Sequence, residues 1–561
     1  MCGLGMTISI NRFLQVCLIL LLSKIFRDLT SRVTGRIKLS TMNQAHNIPI
    51  HFLDFPAELL LDMLGYLDIY DLVRARQICS DIRQLIDSSS ELQYAIDIQY
   101  FNAIPASLPS RDVDVASRRQ LLRKSETAWQ KAEYSQRYSI PMSYCPDNYR
   151  WSCGILGVPA KSLAQIKFVQ PALSDKNTRT TDLRQRSCKI DSIAFEGYSF
   201  SPAQDLVAIL SRSAFGESHA YDVTFRSLSE DKVHPEAGSP VVKALENQID
   251  VRLFDSPYTQ TMIFGDYYGL FCKYGRKADG GLVDFLQIWN WKSKDTFQCL
   301  KTFDVDYGTT HFSFITNDRL LVANSRELML FSLDDSVNAI RLVAKFSLPA
   351  LRDPFVCHYI TFNPIPLHAS THNQLIAVNM CMSAPTTAES PYFTFYIERN
   401  TLLELESTYT SRYGEASQGS LNLPWSAWGP KHTRFFENSH SSCTHRIFGF
   451  RSAELIGELF SRGGQLQSRS LRIRDFNPHR VADFKAGNQA KSHQRLVEGE
   501  TLKSALFLEP LGSGLPYLET TTQEKFLAND MTMEANRITL LSLEAGDLHN
   551  LSQSIEMLDF E

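Results

Sequence analysis

Residues 54–96 read DFPAELLLDMLGYLDIYDLVRARQICSDIRQLIDSSSELQYAI, and this stretch decides the fold of the N-terminal part of the chain. Pro56 suits the first turn of a helix, where its missing N–H leaves no hydrogen bond unmade. Glu58 follows in that turn, where the helix dipole favours a carboxylate. The next apolar side chains recur at helical spacing and predict one broad apolar face, formed by Leu59, Leu60, Met63, Leu64 and Leu67.

Two further helices are predicted in the same stretch. Asp68 ends the first apolar run and can cap a second helix, with Asp71 three residues later as in a capping box. That helix presents Leu72, Val73 and Ala75. Ser80 or Asp81 can cap a third helix, whose predicted inward side chains are Ile82, Leu85 and Ile86.

Three short helices in fewer than about 40 residues cannot bury all of this apolar surface among themselves, and a unit so small is marginally stable alone. The remaining apolar face is therefore expected to bind a partner. The alternative is an ordinary helical bundle whose leucine-rich faces form only its own core.

The order and spacing of these residues resemble the motif of the F-box family. The resemblance runs through Phe55-Pro56-x-Glu58-Leu59-Leu60, then Leu64, Leu67-Asp68, Asp71-Leu72-Val73-Arg74-Ala75-Arg76 and Cys79. Two positions depart from the family pattern. Phe55 stands where leucine usually precedes the proline, and Ile82 stands where tryptophan is common after the cysteine.

The resemblance implies that these helices interlock with a Skp-type adaptor, and through it with a cullin scaffold. The chain would then be the substrate-recognition subunit of a Skp–cullin–F-box type ubiquitin ligase, a non-catalytic adaptor subunit. The alternative is an F-box scaffold that recruits no target for degradation. The adaptor-binding residues implied are Phe55, Pro56, Leu59, Leu60, Met63, Leu64, Leu67, Leu72, Val73, Ala75 and Cys79.

Changes in composition and hydrophobic pattern along the chain predict four parts. These are an N-terminal extension at 1–45, the F-box at 46–100, a linker with a helix at 101–140, and a large β-rich domain at 141–561. The extension contains the uncharged run FLQVCLILLLS at Phe13–Ser23, which is too short for a transmembrane helix. The extension is expected to be poorly ordered. For the apolar run, a packed or interfacial helix, a targeting segment, and an extension that is not part of the working protein remain open.

The region after residue 140 shows short β-type runs separated by Gly, Asn, Asp and Pro turns. Units of strand, turn and strand recur every roughly 45–60 residues, as expected for four-stranded blades that bury their faces against neighbours. The predicted fold class is therefore α+β, with a three-helix F-box followed by a large all-β region. A pair of β-sandwiches is the alternative for that region.

The β-rich region resembles a degenerate WD-like β-propeller. Phe200-Ser201-Pro202 and the following Leu206-Val207-Ala208 are similar to the second-strand lead-in of such repeats, and Ile288-Trp289-Asn290-Trp291 to a third-strand end. Six to eight blades are expected, and the whole chain is similar to a fungal group of F-box proteins. The resemblance implies that the β-rich domain binds a target protein, with phosphorylation of the target left open.

Basic side chains that could pair with a target phosphate are Arg276, Lys277, Arg326, Arg434, Arg446 and Arg451, and none is assigned to this role.

Composition narrows the class of function. The net charge of −4 gives no reason to expect nucleic acid as a partner, and eleven cysteines without a C-x-x-C pair are typical of reduced thiols in the cytoplasm or nucleus. No nucleotide-binding, hydrolase or metalloprotease motif occurs, so neither catalysis nor a cofactor is predicted. His368 and His372 have metal-pair spacing, but neighbouring prolines favour a turn, and no metal site is predicted.

Overall fold

The computed structural model of the chain describes residues 53, 55–104, 113–142, 149–160, 162–171, 183–191, 194–214, 217–246, 258–276, 282–293, 298–304, 309–334, 339–363, 373–383, 391–413, 420–438, 446–461, 466–487, 493–543 and 553–560. The predicted N-terminal extension lies outside the described residues. The chain divides into two compact units. The first includes residues up to 103 and 108–124, and the second includes 104–107 and 125–561.

The first unit is helical. Its helices are α1 (Ala57–Gly65), α2 (Ile69–Ala75), α3 (Ser80–Ser88), α4 (Ser90–Tyr100) and the first part of α5 (Val115–Lys131). A small core holds α1 to α4 together, with Leu64, Leu72, Ile82, Ile86 and Leu92 buried at its centre. A fourth helix, α4, therefore joins the three that the sequence predicts and completes their core.

The second unit contains seven sheets of four antiparallel strands, two of them extended by a fifth strand, arranged as a β-propeller. The first four sheets contain β2 (Arg150–Ser152), β3 (Ile155–Pro159), β4 (Gln165–Pro171) and β5 (Leu183–Lys189); β6 (Phe195–Ser201), β7 (Leu206–Arg212), β8 (Tyr221–Ser227) and β9 (Val241–Ala244); β10 (Tyr258–Phe264), β11 (Tyr267–Arg276), β12 (Leu282–Asn290) and β13 (Gln298–Asp304); β14 (Thr309–Thr316), β15 (Arg319–Asn324), β16 (Glu327–Asp334) and β17 (Ala339–Ser347).

The fifth sheet contains β18 (Val356–Phe362), β19 (Leu375–Ser383), β20 (Tyr392–Glu398) and β22 (Thr433–Asn438), and the sixth contains β23 (Arg446–Phe448), β24 (Arg451–Ile456), β25 (Arg469–Asp475) and β29 (Tyr517–Phe526). The seventh sheet contains β30 (Asp530–Met533), β31 (Arg537–Leu543), β32 (Gln553–Asp559) and β1 (Gln136–Met142).

The seventh blade closes the ring by joining the two ends of the β-rich region. Strand β1 pairs antiparallel with β32, from Gln136 opposite Asp559 to Met142 opposite Gln553. Strand β32 in turn pairs with β31. The outermost strand of this blade therefore comes from the start of the domain, before the predicted boundary at residue 141.

Every junction between neighbouring blades is filled by shared buried side chains. In order around the ring, the shared clusters include Phe168 with Phe200, Phe225 with Tyr268, Phe264 with Phe314, Phe312 with Ile360, Tyr396 with Phe476, Leu471 with Ile538, and Ile555 with Leu156. The last pair joins the seventh blade to the first. Each sheet thus buries both faces against neighbours, as a propeller requires.

Segments inserted between strands extend two of the blades. Strand β21 (Leu421–Leu423) adds in parallel to β17, and β26 (Arg495–Val497) adds antiparallel to β29. The same insertions carry α6 (Arg399–Tyr413), α7 (Trp425–His432), α8 (Pro478–Lys485) and the two-stranded pair β27 (Glu500–Leu502) and β28 (Leu511–Ser513). The sequence signals did not predict these three helices.

The C-terminal part of α5 belongs to the propeller unit and is fixed there by one tryptophan. The Trp129 ring stacks on Phe560, with centroids 3.9 Å apart and planes 7° from parallel. Its indole N–H donates to the Ala535 carbonyl over 3.0 Å. Trp129 is 1% exposed, so the propeller core includes this residue from outside its strands.

On the inner strand β14, hydrogen bonding fixes the tautomer of His311. The backbone N–H of Phe362 donates to His311 Nδ1 over 3.3 Å, and the side-chain amide of Gln260 also lies 3.3 Å from Nδ1. Because a backbone N–H can only donate, Nδ1 carries no proton and the neutral ring carries its proton on Nε2. Burial, together with the Arg150 cation, lowers the pKa of His311 to about 3.

Among the residues that the structure describes, none of the helices combines the length and the apolar character that a membrane crossing needs.

We expect Trp129→Ala to destabilise the propeller by about 3–5 kcal/mol, because it leaves a cavity over Phe560 and removes the bond to Ala535. Trp129→Phe keeps a stacked ring and should cost less, on the order of 1–2 kcal/mol. Denaturant unfolding of the two variants checks the order. Equal stability of Trp129→Ala and the unchanged chain would contradict this packing role.

We expect the His311 ring to stay neutral down to about pH 4, well below the ordinary value of about 6.5. Since its folded pKa is depressed, the unfolded chain binds more protons, and stability should fall as pH drops from about 6.5 towards 3. NMR titration of the ring measures this directly. A midpoint near 6.5 would contradict the hydrogen bonding described for Nδ1.

Candidate functional site

Helix α1 has two apolar faces, and only one of them is buried. Leu60 and Leu64, spaced i and i+4, are 5% and 4% exposed and point into the helical core. Leu59, Met63 and Tyr66, spaced i, i+4 and i+7, lie on a different face. Leu59 is 48% exposed and Tyr66 is 62% exposed, while Met63 is half-buried.

Helix α2 repeats this division over two turns. Leu72 and Ala75 are buried in the core, whereas Tyr70 and Val73 are exposed. Phe55 precedes α1 and is also exposed. We call Phe55, Leu59, Tyr66, Tyr70 and Val73 together the exposed apolar set.

The structure thus divides the eleven sequence-predicted adaptor-binding residues into three groups by exposure. Phe55, Pro56, Leu59 and Val73 are exposed; Met63, Leu67 and Cys79 are half-buried; Leu60, Leu64, Leu72 and Ala75 are buried. A partner that docks on this conformation can touch the first group and part of the second. The buried residues support the surface from beneath.

The predicted start of α2 is confirmed and that of α3 needs correction. Asp68 Oδ1 accepts from the Asp71 backbone N–H over 2.9 Å, which caps α2. Neither Ser80 nor Asp81 caps α3, because Ser80 is already its first helical residue and Cys79 occupies the cap position without a side-chain bond. Pro56 likewise sits at the cap position of α1, one residue before the helix.

Helix α4 supports α2 from behind, and its role was not predicted from the sequence. The backbone N–H of Ile69, at the start of α2, donates to Gln99 Oε1 over 2.7 Å. Ser89 caps α4 by accepting from Leu92 over 3.3 Å. A glutamine thirty residues downstream of a helix start carries no local sequence signal for this contact.

A buried carboxylate fixes the N-terminal part of α5 to α4 within the helical unit. Asp97 is 4% exposed. Its Oδ2 accepts from Arg119 Nε over 2.7 Å and from Arg123 Nε over 2.6 Å, and its Oδ1 accepts from Arg123 Nη2 over 2.8 Å. The hydrogen bond to Asp97 raises the pKa of Arg123. These charge-assisted bonds satisfy a carboxylate that burial would otherwise destabilise.

Three of the arginines considered for phosphate binding are already paired. Arg434 binds Glu500 over 2.5 Å, Arg446 binds Asp530 over 2.8 Å, and Arg451 binds Glu126. Arg326 is exposed, whereas Lys277 lies outside the described residues and nothing is described of the Arg276 side chain. These three arginines already bind acidic side chains within the propeller unit.

No group of three metal-ligating side chains is found in the part of the chain that the structure describes. His368 and His372 lie outside the described residues.

Comparison with protein families identifies the helical unit. Residues 52–94 match the family model of the F-box domain. The chain therefore contains an F-box domain at residues 52–94, followed by a large all-β region arranged as a seven-bladed β-propeller. A search of curated proteins gives no match.

Solved structures similar to the chain include the WD40 domain of SCAP from fission yeast, with a TM-score of 0.31, 8% identity, and coverage of 74% of this chain and 82% of that one. Semaphorin 1b extracellular domains 1-2 from Drosophila give a TM-score of 0.32 and 8% identity, over 76% of this chain and 85% of that one. These likenesses are distant, so the propeller is established by its own strand order.

We expect Asp97→Asn to lower the free energy of local opening at the start of α5 by about 1–3 kcal/mol, because the two arginines lose their shared charged acceptor. Asp87→Asn is the matched control, since Asp87 forms a more exposed pair with Arg76. The control should change stability by less than about 1 kcal/mol. Amide hydrogen exchange across 115–124 in the full chain measures the effect of each variant. Equal exchange in Asp97→Asn and Asp87→Asn would contradict the stabilising role of Asp97.

Proposed function

We propose that this protein is the substrate-recognition subunit of a Skp–cullin–F-box type ubiquitin ligase. Its F-box domain binds a Skp-type adaptor, and its propeller binds the target protein. The subunit itself is not catalytic. Its contribution is to hold a target lysine close to the conjugating enzyme, which raises the effective concentration of the reacting groups.

The observation that supports adaptor binding is the exposed apolar set on α1 and α2. Isolated exposed apolar side chains are common on protein surfaces, but five within residues 55–73, on or next to two consecutive short helices, form an unusual concentration. Fully burying a leucine, valine or phenylalanine side chain contributes roughly 1.5–3 kcal/mol, so covering this partly exposed set favours the complex and offsets part of the entropic cost of association.

The surroundings of the set also suit a protein interface. Leu59 has the exposed carboxylates Glu58 and Asp62 near it along α1. Interfaces commonly have an apolar centre with a polar rim that remains in water. The buried Leu60, Leu64, Leu72 and Ala75 keep α1 and α2 in place and are proposed to act through this support.

The direct test is capture of a purified Skp-type adaptor by the full-length protein carrying Leu59→Asp or the double change Phe55→Ala with Val73→Ala. Placing a charge in a desolvated interface, or removing two apolar contacts, should weaken binding by at least about tenfold. Leu121→Asp is the matched control, because Leu121 is another helical leucine with 41% exposure. The control should bind the adaptor normally.

Two outcomes would count against the proposal: no adaptor binding by the unchanged protein, or equal binding by the Leu59→Asp variant. A change at Leu60 is a poor substitute, because this residue is 5% exposed and its loss would disturb the core. Accumulation of target proteins after deletion, with adaptor binding intact, separates a degradative ligase subunit from an F-box scaffold.

A further inference from the structure

In the part of the chain that the structure describes, no strand pairs with the outer edge of the first blade. The strand order in this sheet is β2, β3, β4, β5. Among the described residues, β5 therefore pairs with β4 on one side and with no strand on the other. The outermost strands of the fourth and sixth blades differ, because β21 covers β17 and β26 covers β29. This propeller therefore accepts a fifth strand on a blade without any change to the inner four.

The direction of the backbone groups on β5 follows from two hydrogen bonds. The N–H of Ile190 donates inward to Ala164 over 2.9 Å, and the N–H of Lys189 donates in the opposite direction to Asp231 over 3.1 Å. Because successive residues of a strand point their backbone groups to opposite sides, Ser187 and Gln185 direct theirs outward with Lys189. The outward groups of Gln185 and Ser187 have no hydrogen-bond partner among the described residues, whereas the N–H of Lys189 is already bound to Asp231.

The side chains around this edge are basic. Lys167, Arg186 and Lys189 are exposed, and no ion pair with an acid is described for any of them. The segment 183–189 has no acidic residue. Asp191 and Asp231, which lie beside the end of β5, are both paired with Arg226.

The cations stand on both faces of the sheet edge. Lys167 lies opposite Ser187 in the pairing of β4 with β5, and Arg186 occupies the next position along β5. Because side chains alternate between faces along a strand, Arg186 is on the face opposite Lys167. A strand added here would therefore meet positive charge on each face.

We propose that the outer edge of β5 binds an extended, acidic segment of a partner protein as a fifth strand of the first blade. Backbone hydrogen bonds to Gln185 and Ser187 provide strand addition, and Lys167, Arg186 and Lys189 select acidic side chains. This site belongs to the propeller alone, so it does not depend on adaptor binding by the F-box domain.

The test uses the full chain and a fluorescein-labelled peptide of glutamate, valine and threonine, followed by fluorescence anisotropy. A peptide with lysine replacing each glutamate is the charge control. Gln185→Pro removes one outward N–H without removing an inward bond, and proline is tolerated on edge strands. It should weaken binding about three- to tenfold relative to Gln185→Ala, which keeps the N–H.

Two further measurements separate strand addition from general charge attraction. Lys167→Glu with Arg186→Glu should weaken acidic-peptide binding at least about fivefold and allow the lysine peptide to bind. An acidic peptide with N-methylated backbone amides should fail to bind the unchanged protein, which tests strand addition without any change in the protein.

The proposal is supported if Gln185→Pro, backbone methylation and charge reversal each weaken binding, and if the peptide protects the Gln185 and Ser187 amides from hydrogen exchange. It is overturned if the acidic peptide does not bind at low salt. It is also overturned if charge reversal alone matters and the Gln185→Pro and methylated-peptide results equal their controls, since this pattern describes charge attraction without strand pairing.

Discussion

The pairing of β1 with β32 is the constraint on which the propeller depends. It joins residues more than four hundred positions apart, from Gln136 opposite Asp559 to Met142 opposite Gln553. Each blade buries two faces, so an open array of seven blades would leave one face of the first and one of the last in water. Closure replaces those two exposed faces by the cluster that includes Leu156 and Ile555.

The helical unit shows the opposite behaviour, because it buries one face of each helix and leaves another in water. Within α1 this division separates neighbours: Leu60 is in the core while Leu59 is not. The core residues and the exposed set are both leucine-rich, but their mutation should have different consequences. We expect changes in the first group to unfold the unit and, under the proposed function, changes in the second to weaken adaptor binding.

Sequence reasoning predicted elements that rest on local signals. The motif around Pro56 and Leu60 located the F-box domain, and the aspartate spacing at Asp68 and Asp71 located the start of α2. Strands such as Arg319–Asn324 and Tyr221–Ser227 follow apolar runs bounded by turns. These features depend on residues close in the chain, where periodicity and capping act.

The remaining features depend on contacts between distant residues. Exposure cannot be read from a leucine stripe, because Leu59 and Leu60 are the same residue type and differ only in which helix face meets α4. The support of Ile69 by Gln99 and the stacking of Trp129 on Phe560 likewise join positions with no shared local pattern. The blade count also required pairing across the whole domain, since β1 looks like part of a linker.

The order in which a ribosome makes this chain gives the closing strand a further meaning. Strand β1 is synthesised before its partner at 553–559, with about four hundred residues between them. During translation of about four hundred intervening residues, β1 has no native neighbour, and the first blade has no seventh blade against it. An unpaired strand edge can template aggregation, and a premature stop codon anywhere before β32 would leave this edge permanently open.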